Sequence, residues 1–193
     1  MRLFTGIALG PAVLNKLTRV LAELQPLAKL NWSPVDNLHI TAKFIGAWPD
    51  DRLEELKTAL AAVPFGRAFE ITIAKFGYFP NPHHPHSFFA GVDAGPALPE
   101  LAAHIDDALL PLGIAKEKRP FTPHLTLARI KGQDVRALRQ HIAKMTDFDF
   151  GTFTASAFHL YLSQPGPASS VHTSSVYTSL AAFSARATAG LTA

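Results

Sequence analysis

The sequence predicts an α+β chain built as a duplication, with two lobes related by a pseudo-twofold axis and one cleft between them. Three observations predict it. Short apolar runs with period-two alternation take turns with runs of helical spacing. The runs recur at a fixed offset: His39 follows Leu3 by 36 positions and His124 follows Phe88 by 36, so both pairs lie 85 apart, while Phe69 and Phe153, in later strands, lie 84 apart. The same short pattern, His-x-Thr, stands at equivalent places in the two units, as His39-Ile40-Thr41 and His124-Leu125-Thr126.

The elements follow in order. Residues 3–9 read as a strand ended by Gly10-Pro11. Leu14, Leu17, Leu21 and Leu24 define a helix over 12–29. Residues 38–45 form the first His-x-Thr strand. Pro49-Asp50-Asp51 opens a helix with Leu53, Leu56, Leu60 and Val63 on one face, its early acids suiting a helix N-terminus. Phe69, Ile71 and Ile73 alternate in a strand over 69–79, and Pro80 to Pro85 is a loop rich in Pro and His. The order then repeats: a strand at 88–93, a helix at 97–110, the second His-x-Thr strand at 124–130 and a helix at 133–145. Strands at 152–163 and 174–184 close the chain around the turn Gln164-Pro165-Gly166-Pro167. The whole reads as one domain over 1–193, with half-units at about 1–80 and 86–185.

Composition bounds the function classes. The 193 residues are 48% hydrophobic and 17% charged, which suits a packed core and not a disordered chain. The net charge of +3 is compatible with an anionic ligand but does not demand one. The absence of cysteine excludes disulfides, thiolate metal sites and a Cys nucleophile. The apolar start, residues 3–9, is too short to span a bilayer, and Lys16, Arg19 and Glu23 follow it at helical spacing, unlike a secretory signal. We therefore expect a cytoplasmic, monomeric protein without membrane contact. No Walker-type loop or G-x-G-x-x-G occurs, which argues against nucleoside triphosphate hydrolysis and dinucleotide redox.

In a strand, positions two apart share a face. His39 and Thr41 then point one way, as do His124 and Thr126, while Ile40 and Leu125 point to a core. Two imidazoles brought together across a cleft can act as an acid and base near neutral pH. A bare His-x-Thr is weak in a chain with nine histidines, and a lone one reads as a structural residue of a half-buried strand. The matched placement in a repeated unit favours a site.

The flanking residues narrow the class. Asn37-Leu38-His39-Ile40-Thr41-Ala42-Lys43-Phe44-Ile45-Gly46 resembles the pattern N-L-H-x-T-L-K-F-x-G, and Arg119-Pro120-Phe121-Thr122-Pro123-His124-Leu125-Thr126-Leu127-Ala128-Arg129 resembles R-P-F-x-P-H-x-T-x-A-R. Met1 to Phe4, Gly77 to Pro80 and Ala90 to Val92 also match. These patterns resemble those of the two-histidine (2H) phosphoesterases, in the LigT-like branch of RNA 2′,3′-cyclic phosphodiesterases, also called 2′-5′ RNA ligases. The resemblance implies two mainly antiparallel sheets around a central cleft with helices outside. It also implies hydrolysis of an RNA or nucleotide 2′,3′-cyclic phosphate to a 2′-phosphate with no metal or other cofactor, and a reverse 2′-5′ joining reaction. His39 would then give a proton to the 3′ oxygen and His124 would take one from water; the spacing by itself leaves the two roles open. Departures are Ala42 for the usual Leu, His83-His84-Pro85-His86 where Pro-Arg is frequent, Phe88 or Phe89 near a frequent Trp, and a C-terminal Gly-x-x-Tyr only loosely echoed by His172 to Tyr177.

Thr41 and Thr126 are placed to donate to non-bridging phosphate oxygens. Lys43 shares the parity of His39 and is a candidate anion ligand, equally readable as a solvated strand-end lysine. Arg129 has the opposite parity and reaches the site only if a bulge re-aims it. Arg119, in a basic run with Lys116 and Lys118, is a candidate backbone contact, and Phe121 a candidate base-stacking residue. Phe44 is a second ring that could stack on a base, but its core parity favours burial. The three histidines of the loop 83–86 invite a zinc reading, opposed by the interleaved prolines and the lack of a carboxylate. His104, His141, His159 and His172 read as structural or surface residues. A related substrate, such as an ADP-ribose cyclic phosphate or a 2′,5′-oligonucleotide, and a non-catalytic nucleotide-binding module stand as alternatives.

Overall fold

In a computed structural model, which describes residues 1–166 and 175–186, the chain forms nine strands and four α-helices among the described residues. The strands are β1 (Arg2–Ala8), β2 (Asn31–Trp32), β3 (His39–Ala47), β4 (Phe69–Phe79), β5 (Ser87–Asp93), β6 (His124–Arg129), β7 (Asp149–Ala155), β8 (Ala157–Pro165) and β9 (Ser175–Ser184). The helices are α1 (Pro11–Leu24), α2 (Leu53–Ala61), α3 (Ala97–Leu109) and α4 (Arg136–Ile142). His172 and Pro167 lie outside the described residues.

Two antiparallel sheets result, ordered β3-β1-β8-β9 and β2-β6-β5-β4-β7. Leu17, Leu21 and Leu24 of α1, Leu56 and Leu60 of α2 and Ile105 and Leu109 of α3 join Ile7, Ile40, Ile71, Ile73 and Leu125 in one buried core. Each helix turns its apolar stripe to the sheets and its charged face to solvent.

The sheets do not coincide with the two halves of the sequence. In the first, β1 pairs with β3 of its own half and with β8 of the other. In the second, β5 pairs with β6 of its own half and with β4 of the other. The pattern β3-β1-β8 thus repeats as β6-β5-β4: the first half lends β2 and β4 to the second sheet, and the second half lends β8 and β9 to the first. The stretch read as one strand over 152–163 is two, β7 and β8, separated at Ser156, because β7 pairs with β4 and β8 with β1. The helix read over 12–29 stops at Leu24, where Pro26 removes a backbone donor and Gln25–Leu27 tightens to a 3₁₀ turn. The two-residue strand β2 pairs with β6 at Trp32↔Ala128 and is too short for a periodicity reading.

Both His-x-Thr strands carry the same irregularity. In β3, Thr41 faces Gly6 and Lys43 faces Thr5, so Ala42 is an extra residue. In β6, Thr126 faces Phe89 and Ala128 faces Phe88, so Leu127 is extra. A one-residue bulge exchanges the faces of everything beyond it. The exposure sequence from each histidine is accordingly identical: half-exposed, buried, half-exposed, buried, buried, exposed.

Gly6 lies beside the first motif, where an added Cβ would stand 2.8 Å from the Ile40 carbonyl oxygen and 3.2 Å from Cδ2 of His39. Gly6→Ala is therefore expected to push the backbone of β3 and the His39 ring aside, with a loss of about 1–3 kcal/mol in denaturant unfolding. A variant as stable as the parent would show that β1 and β3 are not packed this closely.

Candidate active site

The two histidines are held by the same local device. Nδ1 of His39 donates to the carbonyl oxygen of Asn37 at 2.6 Å, and Nδ1 of His124 donates to that of Thr122 at 2.8 Å. A carbonyl only accepts, so both rings carry hydrogen on Nδ1, and Nε2 is left to exchange a proton. The Thr41 hydroxyl lies 3.0 Å from Nε2 of His39 and donates to it when the ring is neutral. The Nδ1 partner is the carbonyl two residues upstream in both motifs, so the chain entering each strand fixes its own tautomer.

Aromatic rings wall both imidazoles. The Phe4 ring centroid is 4.6 Å from that of His39, with Tyr177 at 5.1 Å and Tyr161 at 5.9 Å. Phe79 and Phe89 stand 4.9 and 5.7 Å from His124. Phe89 follows Phe4 by the 85 positions of the duplication, a signal in the sequence that finds this wall. β3 and β6 approach each other across the junction of the sheets, and the charge of His124 opposes protonation of His39. Burial does so more strongly, and together they hold the His39 imidazolium below its ordinary range against the pull of the Asn37 carbonyl. A surface depression of about 470 Å³, bounded by Pro26, Lys29, Asp134 and Ala137, lies elsewhere and contains neither histidine.

The bulges redistribute the remaining candidates. Arg129, turned away by simple parity, is brought to the side of His124 and Thr126, where it is exposed and faces Ser87 of β5. Phe44, read as core, is 67% exposed, and its ring lies 6.2 Å from Phe4, beside the His39 wall. Lys43, read as a phosphate ligand, is turned inward instead. Only 7% exposed, it pairs with the Asp106 carboxylate on α3 at 2.5 Å and donates to the Ala115 carbonyl at 2.7 Å. Asp106 also accepts from the Glu117 amide at 3.0 Å, so this ion pair ties β3 to α3 and to the segment that leads into β6. Phe121, on the segment before β6, is half-buried and packs in part against the core. Arg119 is exposed on the loop before β6.

His159, read as structural or surface, is half-buried in β8 opposite Gly6, on the face that carries Thr41. Its Nδ1 lies 3.0 Å from the Ser179 hydroxyl, its ring stacks on Tyr161 at 5.5 Å, and burial holds its pKa down. Among the described residues no group of three His, Asp or Glu side chains is placed to hold a metal ion, and His83, His84 and His86 are exposed or nearly so.

Comparison with known proteins fits this geometry. The model of the LigT-like phosphoesterases matches residues 7–89 and 92–171. The chain belongs to that family. It is 34% identical over 137 residues to the RNA 2′,3′-cyclic phosphodiesterase of Aeropyrum pernix, covering 68% of this chain and 77% of that protein. It is 29% identical over 160 residues to the protein of the same name from Archaeoglobus fulgidus, covering 83% and 89%. Among solved structures, the TT0787 protein of Thermus thermophilus superposes with a TM-score of 0.77 at 28% identity over 95% of this chain and 97% of that one. E. coli LigT, crystallised with 3′-AMP, shares the fold with a TM-score of 0.75 at 21% identity over 95% and 97%. Among the described residues, no helix is long and apolar enough to cross a membrane.

Two consequences are measurable. Asp106→Ala leaves the Lys43 ammonium buried without its carboxylate and is expected to lower unfolding stability by about 3 kcal/mol or more. An unchanged denaturation midpoint would show that the pair is solvated. The second concerns pH. His39 and His159 are both lowered from 6.5 by burial, so the unfolded chain binds more protons than the folded one just below that pH. Their contribution is complete above 6.5 and is lost as pH falls from there towards the folded values. A His39→Gln/His159→Gln variant should accordingly show a flatter melting temperature between about pH 6.5 and pH 5 than the parent. Parallel curves would contradict this.

Proposed function

We propose that this protein is an RNA 2′,3′-cyclic phosphodiesterase that opens the cyclic phosphate at an RNA or nucleotide 3′ end to give a 2′-phosphate, without a metal ion. The observation that carries the reading is the matched pair of imidazoles, each fixed through Nδ1 with Nε2 left to exchange a proton, on two strands that meet across the cleft. A passive binding cleft has no need of two such proton-transfer groups. The names of the relatives support the same substrate class.

The chemistry follows from the placement. With the cyclic phosphate between the rings, Nε2 of His124 takes a proton from water as the water oxygen bonds to phosphorus. The bond from phosphorus to O3′ breaks, and Nε2–H of His39 delivers a proton to O3′. The products are a 2′-phosphate and a free 3′ hydroxyl. The resemblance to the LigT-like family supports His124 on the water side. His39, whose proton is weakened by burial, is charged by the arriving anion, and its repulsion with His124 favours a single shared proton on the pair. When His39 turns its proton to the substrate, the Thr41 hydroxyl is released to a non-bridging oxygen; Thr126 supplies the matching donor. Arg129 offers a guanidinium to the same anion, and the exposed Phe44 ring offers a face for the base. In the joining reaction a 5′ hydroxyl takes the place of water: His124 removes its proton as O5′ bonds to phosphorus, the bond from phosphorus to O3′ breaks, and His39 protonates O3′, leaving a 2′-5′ linkage. The protein is a cytoplasmic monomer in this reading.

His39→Ala and His124→Ala should each reduce kcat for 2′,3′-cyclic AMP by about 10²–10⁴-fold, with melting curves that still show a folded protein. Activity should survive EDTA, and phosphorus NMR should show a 2′-phosphate. Full activity in either histidine variant refutes the reading, and a 3′-phosphate product reverses the assignment of the leaving oxygen. Arg129→Ala should mainly raise KM.

A further inference from the structure

The cyclic phosphate is the end of a longer polyanion when the substrate is RNA, and the strand must leave the cleft over some part of the rim. The loop Pro80–His86 begins and ends at the wall of the site. Phe79, just before it, touches His124, and Ser87, just after it, faces Arg129 across β5 and β6. His83, His84 and His86 are all exposed.

The loop is also fixed in place. The Asn81 side-chain oxygen accepts the amides of His83 and His84 at 2.9 and 3.0 Å. The His86 amide donates to the Phe79 carbonyl at 2.6 Å, and the His86 carbonyl accepts from the Ile130 amide at 2.9 Å. The Arg139 guanidinium of α4 donates to the Pro82 carbonyl and covers the Tyr78 ring at 5.2 Å. The imidazoles are therefore presented from a shaped support.

The charge around the loop has one sign. No Asp or Glu occurs from Tyr78 to Val92 or from Lys118 to Gln133, the two stretches that β5 and β6 bring side by side. The charged and titratable groups on the segments next to the loop are Tyr78, His124, Arg129, Lys131, Arg136, Arg139 and His141, and the carboxylate of Asp134 is held by Arg136 at 2.7 Å. Among the described residues a protonated imidazole here meets no carboxylate partner of its own, so an external anion is its natural counter-charge.

We infer that the loop Pro80–His86 is a pH-dependent binding surface for the phosphate backbone of the RNA strand that leads to the cyclic end. An imidazole gains a positive charge when it takes up a proton, and the loop carries three. They contact only a substrate long enough to cross the rim from Arg129. Acidification then shifts preference from mononucleotides to oligonucleotides, apart from any effect on the catalytic pair.

This inference rests on the phosphodiesterase reading, and the experiment separates the two. Wild-type protein is assayed at about pH 6 and about pH 8 with 2′,3′-cyclic AMP and with a short RNA ending in a 2′,3′-cyclic phosphate. The ratio of kcat/KM for the RNA to that for the mononucleotide cancels the titration of the catalytic histidines. It should rise about tenfold on going to the lower pH. His83→Gln/His84→Gln/His86→Gln should hold the ratio at its high-pH value while turnover of 2′,3′-cyclic AMP is unchanged. His83→Lys/His84→Lys/His86→Lys should hold it high at both pH values. The salt dependence of KM for the RNA should also be steeper at the lower pH in the wild type alone. A ratio that does not change with pH, or one that changes equally in the Gln variant, overturns the inference and leaves the phosphodiesterase reading intact. Failure to hydrolyse either substrate overturns that reading, and the inference with it.

Discussion

The geometry of the cleft depends on one extra residue in each His-x-Thr strand. A regular strand sends every second side chain to the same face, so it cannot bury the residue after the threonine and also expose the third one on the face of the histidine. The bulges at Ala42 and Leu127 do both. They leave His and Thr in register with each other, turn Lys43 and Ala128 inward, and carry Phe44 and Arg129 round to the cleft side. A bulge also increases local twist. In the first lobe the re-aimed position is an aromatic ring, and in the second it is a guanidinium. A nearly symmetric frame thereby presents different side chains at matched positions, a ring on one side and a fixed charge on the other.

What the sequence discloses and what it hides divide by range. The orientation of each histidine is local, because its Nδ1 partner is the carbonyl two positions earlier, and the pairing of the two motifs is visible in the constant offset of 85. Parity counted from His39 and His124 is right as far as Thr41 and Thr126. It fails at Lys43, Phe44 and Arg129 because a bulge is a property of two strands, and Gly6, Thr5 and Phe89 that define it lie far away in the chain. The fate of Lys43 needs still more: Asp106 on α3 and the Ala115 carbonyl are 63 and 72 positions on, and no spacing rule connects them. The end of α1 near Pro26 is a local matter that the apolar periodicity alone overruns.

The buried Lys43–Asp106 pair gives the site a mechanical link. Its three contacts join the strand of one histidine, the helix behind it and the segment that enters the strand of the other. Such a pair is weak evidence for stability in itself, but it leaves little freedom for the relative position of β3 and β6. The two imidazoles stand on separate sheets, and the pair is a link between the segments that carry them.

The exchange of strands between the two sheets has a consequence for ancestry. A duplication normally leaves two copies that can part again, each with its own core. Here β4 has been given to the sheet of the second copy and β8 to that of the first. A chain cut at its own boundary of descent would leave β1 with a bare edge where β8 lay, and β4 without the β5 and β7 that flank it. The two halves remain readable as copies, yet each completes its sheet only with strands of the other, so neither histidine strand has its full sheet without the whole chain.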